Sequence, residues 1–181
     1  MSWQIDHSHS QVTFSVRHLM VTNVRGEFDK FSGTVEFDEQ NPANSKIDVQ
    51  IEAASVNTKD AKRDEHLRSA DFFDAEHYPY LHFTSKNIVA TDAQHGRIFG
   101  DLTIRGVTKE VVLEVEYTGS AKTPWGTTSA GFNASTKVNR TEWGLNWNAA
   151  LETGGVLVGD DVKIALEVEL VQVPQDVPAT A

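Results

Sequence analysis

Apolar and polar residues alternate with period two over long stretches of this chain. Val12, Phe14, Val16 and His18 alternate with Gln11, Thr13, Ser15 and Arg17; Ile47, Val49, Ile51 and Ala53 alternate with Asp48, Gln50 and Glu52. The same pattern recurs at Val111, Leu113, Val115 and Tyr117, and at Val162, Ile164, Leu166, Val168 and Leu170. Successive side chains on a strand point to opposite faces, so each run predicts a strand with one wet and one buried face. That alternation marks antiparallel sheet, since strands of a parallel α/β core are apolar on both faces. Weaker patterns add strands over residues 31–37, 81–89, 98–104, 107–119 and 127–138. Phe31, Gly33, Val35 and Phe37 are in phase with one another but Phe28 is not, which places a bend near Asp29-Lys30. Arg105-Gly106 reads as a tight turn between two strands.

Residues 60–69 break the period. Their charged, helix-forming composition predicts a helix capped by Asp60 or Thr58, running into Phe72-Phe73. A second short helical piece is expected over 140–147. The end of the chain, 174–181, is rich in Pro and Ala and reads as a loose tail after a single domain over 1–173. About eight long antiparallel strands with one inserted helix must hide their edges, and closure into an up-and-down barrel does so. Strands of ten to twelve residues at ~3.3 Å per residue and ~40° tilt make a barrel ~25–30 Å tall. The fold class expected is therefore all-β: an extended eight-stranded antiparallel barrel.

Composition narrows the function. Of 181 residues, 16 are Lys or Arg and 26 are Asp or Glu, giving a net charge of −10, which disfavours nucleic acid and polybasic membrane docking. The absence of Cys excludes disulfides, Cys-based zinc sites and thiol catalysis. The first residues lack the apolar region of a signal peptide and no run is long enough for a spanning helix, so a cytoplasmic protein is expected. His7 and His9 would share a face if they lay on a strand, but no metal-binding spacing follows and no metal is assigned. Gly154-Gly155-Val156-Leu157-Val158-Gly159 lacks the Lys-Ser/Thr of a phosphate loop. No nucleophile elbow is present, and the carboxylates fall mainly on outward strand positions, so the chain is not read as an enzyme.

A set of ordered motifs is more specific. Arg63-Asp64, His66-Leu67, Ser69, Asp71-Phe72-Phe73-Asp74, Tyr78-Pro79 and Phe83-Thr84-Ser85 form its core. Asp6, His9-Ser10 and Gly26, Phe28, Phe31, Gly33 precede them; Gly100-Asp101-Leu102-Thr103-Ile104-Arg105-Gly106 and Asn139-Arg140 through Trp143-Gly144 follow. Together they resemble the YceI-like, polyisoprenoid-binding family over roughly residues 3–171. The resemblance implies a lipocalin-like barrel that holds a long isoprenoid, isoprenoid quinone or similar lipid, with no catalytic cofactor. It also allows a homodimer. Many members of that family are exported, whereas a cytoplasmic location is the expectation for this chain.

Strand parity and the motifs together nominate the lining. The candidates are Phe14, Val16 and His18; Val35 and Phe37; Val49 and Ile51; Leu67, Phe72 and Phe73 at the helical cap; then Leu81, Phe83, Ile104, Phe132 and Trp143. Either face of the strand bearing Phe132 could point inward. Each buried CH₂ is worth ~0.8 kcal/mol, so a twenty-carbon chain yields ~16 kcal/mol gross against association costs of ~4–15 kcal/mol. Two readings stay open at several points. Leu67, Phe72 and Phe73 either touch a ligand or plug the barrel end. His18 is either a core histidine with a polar neighbour or a donor to a ligand headgroup. Trp125, Trp143 and Trp147 form either an aromatic mouth or a packing corner. Arg63, Asp64 and Arg68 are expected to form ion pairs that orient the cap. The alternative to a lipid carrier is an interaction or stress-related protein with a filled barrel and no ligand.

Overall fold

The computed structural model describes residues 2–173; the expected tail, 174–181, lies outside them. Eleven strands form one antiparallel sheet: β1 (Ser2–Ile5), β2 (Gln11–His18), β3 (Thr22–Phe28), β4 (Phe31–Glu36), β5 (Lys46–Glu52), β6 (Val56–Asn57), β7 (Tyr80–Ala90), β8 (His95–Ile104), β9 (Val107–Lys122), β10 (Thr128–Asn139) and β11 (Val158–Val173). The α-helix α1 (Ala61–Arg68) sits between β6 and β7, and a short 3-10 turn, Arg140–Trp143, follows β10.

The strand count exceeds eight because three paths are bent. β1 runs into β2 through a 3-10 turn at His7–His9, β3 into β4 at Asp29-Lys30, and β5 into β6 through a turn at Ala53–Ser55. Eleven strands less three such joins leave eight paths. β3 pairs with β6 and β4 with β5, while Asp29 N donates to Ser55 O (3.1 Å) and Glu52 N to Lys30 O (2.9 Å) across the two bends. The sheet continues β5-β7-β8-β9-β10-β11-β2-β3, so its two ends meet in the bent hairpin β3–β4/β5–β6. The expected phase break at Asp29-Lys30 is that bend: it lets both Phe28 and Phe31 face inward although they are three residues apart.

Two ends follow from the register. His18 pairs with Val158 and Asn139 with Asp161 at one end; Thr128 pairs with Lys122 and Gln172 at the other. The first is called the near end below, the second the far end.

The helix lies at the near end as expected, with Asp60 as its cap, accepting from Arg63 N at 3.1 Å. It carries almost no apolar face, so polar bonds hold it. Buried Asp64 accepts from Thr58 N (2.8 Å) and Thr58 Oγ1 (2.6 Å), and Arg63 Nε donates to Thr58 Oγ1 (2.8 Å). The expected Arg63–Asp64–Arg68 ion pairs do not form: the cap is anchored through Thr58, because a buried carboxylate is satisfied best by donors fixed on the neighbouring backbone. After α1 the chain turns back on itself. Phe73 N donates to Leu67 O and Ala75 N to Arg68 O, which folds Phe72 and Phe73 under the helix.

Candidate functional site

A solid barrel would bury its inward side chains completely. Here Val162, Ile164, Leu166 and Val168, the inward row of β11, are only half-buried, as are Val16, Val49 and Ile51. Their inner faces open on a cavity of about 910 Å³ that follows the barrel axis. Its wall is almost wholly aliphatic and aromatic, which suits an apolar occupant and offers few hydrogen bonds.

All fifteen nominated residues border this one cavity. Phe14, Val16 and His18 come from β2; Val35 from β4, with Phe37 just after it; Val49 and Ile51 from β5; and Leu81 and Phe83 from β7. Ile104 ends β8, Phe132 lies on β10, and Leu67, Phe72, Phe73 and Trp143 close the near end. Period two explains why the strand residues among them share one face: once one residue of a strand faces inward, every second one does. Phe132 shares the inner face with Ala134, Thr136 and Val138. The His18 imidazole borders the cavity and makes no side-chain hydrogen bond among the described residues.

Aromatic rings flank the cavity at both ends. At the far end the Phe37 ring lies 5.0 Å from Phe132 and 6.0 Å from Tyr117, with Trp3 5.6 Å behind Phe37. At the near end Phe28 stands 5.6 Å from both Phe14 and Phe73, and Trp147 packs 4.5 Å from His66 and 5.5 Å from Phe72. The expected grouping of Trp125, Trp143 and Trp147 does not form. Trp125 sits at the far-end tip, 81% exposed, whereas Trp143 is fully buried with Nε1 donating to Leu102 O at 2.9 Å. Sequence proximity brought the three together only along the chain; the long β9–β10 hairpin carries Trp125 to the other end.

Charged groups gather at the rims of the cavity, and Thr13 and Thr136 are polar positions on the wall between them. Arg17, His18, Lys62, Arg63 and His66 lie at the near rim, and Glu39, Asp92, Gln94, His95 and Arg97 at the far rim.

Arg140 is the structural residue that patterning missed. Its guanidinium is buried and donates to the carbonyls of Leu145, Trp147 (3.0 Å), Val158 (3.3 Å) and Gly159 (2.8 Å). Burial pulls its pKa below the ordinary value, opposed by Asp160 at 3.8 Å. It thereby shapes the segment that brings Trp143, Leu145 and Trp147 to the near end. Only the motif Asn139-Arg140 hinted at it; Thr58 and Asp64 likewise show no periodic signal.

His7 and His9 do not share a strand face. Both lie in the turn between β1 and β2, where His7 Nε2 donates to Phe31 O (2.7 Å) and His9 Nδ1 to Asp6 Oδ2 (2.8 Å). Asp6, held by His9 first and Ser8 second, has its pKa lowered to about 2, and His9 is raised by the same bond. Asp6, His9 and Glu169 form a surface group that borders no part of the cavity.

Comparisons with known proteins agree with this architecture. A description of the YceI-like domain matches residues 3–170. UPF0312 proteins of Staphylococcus aureus are 38% identical over 169 residues, covering 93% of this chain and 96% of theirs. The Campylobacter jejuni YceI protein superposes with a TM-score of 0.75 at 36% identity, over 87% of this chain and 90% of its own. Two more distant structures share the fold. Burkholderia cenocepacia BcnA has a TM-score of 0.81 at 23% identity, covering 92% of this chain and 99% of its own. A polyisoprenoid-binding domain from Saccharophagus degradans has 0.66 at 13%, covering 96% and 99%. The barrel, its near-end helix and the match along almost its whole length place this chain in the YceI-like domain family.

Proposed function

We propose that the protein binds a long-chain isoprenoid, isoprenoid quinone or similar lipid inside the barrel and sequesters or carries it without chemistry. The observation that supports this best is the cavity: about 910 Å³, axial and apolar. Filling it with a chain removes apolar surface from water on both partners, and no charged anchor is required. The Saccharophagus degradans domain of the same fold is described as polyisoprenoid-binding, which supports the same ligand class. The wall of the cavity is almost wholly aliphatic and aromatic, which supports binding without chemistry as the simpler reading. A filled barrel acting only as an interaction protein fits less well, because the inward row of β11 is not buried.

The test is an organic extract of native protein analysed by mass spectrometry. A co-purifying polyprenyl or alkyl chain, near one per protein, supports the proposal. A clean extract, together with no uptake of added polyprenol by the delipidated protein, refutes it.

A further inference from the structure

The tip of the β2–β3 hairpin is apolar and exposed. Leu19, Met20 and Val21 are 42%, 56% and 71% exposed, and Val156 of the facing loop is 39% exposed. The four form one patch. Leu19 N donates to Leu157 O at 2.9 Å, and Met20 packs on Gly155, where an added Cβ would collide with its sulfur.

The turn is also costly in conformation. Leu19 and Met20 have φ of +52° and +62° within a turn closed by Val21 N donating to His18 O at 3.1 Å. Two consecutive positive φ values favour Asn-Gly, and side chains with a Cβ are disfavoured there. Folding alone would be served better by Asn-Gly, so the apolar pair calls for a role outside the fold. Its position suggests one. Arg17, His18 and Leu157, immediately beside the tip, border the cavity at its near end.

We propose that the hairpin tip, with Val156, inserts into the surface of a lipid bilayer and sets the near mouth of the cavity against it. This rests on the lipid-carrier reading above. A chain leaving the bilayer would then enter the barrel without crossing bulk water. A second copy of the chain is a poorer occupant: four side chains on a protruding tip fall well short of the ~1,200 Å² that a stable protein interface buries. With a net charge of −10 the protein gains little from an anionic surface, so insertion is apolar and only weakly sensitive to salt.

The experiment is co-sedimentation with phosphatidylcholine vesicles, alongside uptake of a fluorescent alkyl-chain probe either from those vesicles or from ethanol dispersion. In the double variant Leu19→Asn/Met20→Gly the vesicle-bound fraction falls at least about tenfold. Its thermal midpoint is unchanged or higher, its uptake from vesicles slows, and its uptake from ethanol dispersion stays normal. Trp125→Gln, at the other end, leaves vesicle binding intact. The proposal is overturned if the double variant sediments with vesicles as the parent does. It is equally overturned if Trp125→Gln abolishes vesicle binding, or if the double variant changes the oligomeric state. Should the parent take up no probe even from ethanol dispersion, the carrier reading fails, and co-sedimentation alone still decides whether the tip docks.

Discussion

Phe14 and Gly26 face each other across the β2–β3 ladder, and a Cβ added to Gly26 would lie 2.4 Å from Phe14 Cζ. The bare backbone at Gly26 is what lets the Phe14 ring lie along the wall rather than across the lumen. Gly26→Ala is expected to drive the ring inward, at a cost of about 1–3 kcal/mol. Urea denaturation would read the lost stability, and the extractable lipid per protein would fall. Adding Phe14→Leu should restore part of both, because the smaller side chain vacates the tightest contact while Thr58 Cγ2 still lies 2.9 Å from the added Cβ.

Val49 faces the lumen from β5, paired with Gly33 on one side and Phe83 on the other. An indole there projects into empty volume, so Val49→Trp should abolish lipid uptake while the far-ultraviolet circular dichroism stays that of the parent. Val16→Trp, on the adjoining wall, should act alike. Unchanged lipid content and unchanged melting in both variants would mean that these positions do not line the binding space.

Arg140 satisfies four backbone carbonyls from inside the near end. Arg140→Met keeps the length of the side chain and removes every donor. Leaving buried carbonyls unpaired costs about 1–3 kcal/mol each, so a loss of about 3 kcal/mol or more is expected. Hydrogen exchange should locate the loosening in residues 144–158 first, with β7 and β8 still protected.

Asp6 and His9 make stability depend on pH in two opposite directions. The folded pKa of Asp6 is about 2 against an ordinary 3.8, so its contribution is complete above ~4 and disappears as the pH falls toward 2. His9 is raised above its ordinary 6.5, so its contribution is complete below that value and disappears as the pH rises through its folded pKa. The urea midpoint of the parent should therefore be highest between about pH 4 and 6.5. His9→Gln should shrink the alkaline decline, leaving the share of His77, which is raised by its bond to Asp74, and weaken the acid one, because the bond that depresses Asp6 is lost. A pH profile identical to that of the parent would show that the pair contributes nothing to folding.

The lining was legible because a strand repeats every two residues: knowing that Phe14 is inward settles Val16 and His18 as well. The helix was legible from its charges and from the Asp60 cap. What escaped were residues whose importance lies in contacts distant from any local period. Asp64 is a charge that local sequence would place in water, yet it is buried on Thr58. Trp125 and Trp143 are near neighbours in sequence, and the hairpin sends them to opposite ends.

The sequence by itself determined the eight alternating strands, their inner faces, the helical cap and the family, because each depends on local periodicity or on ordered motifs; the strands Ser2–Ile5, Thr22–Phe28 and Val56–Asn57 carry too little alternation to be read from it. Only the tertiary structure decided that eight paths bend into eleven strands, that the interior is hollow and that an apolar tip stands beside its mouth. Those properties depend on how strands meet across the sheet, and a void is set by what opposing walls leave between them, which no single stretch of chain encodes.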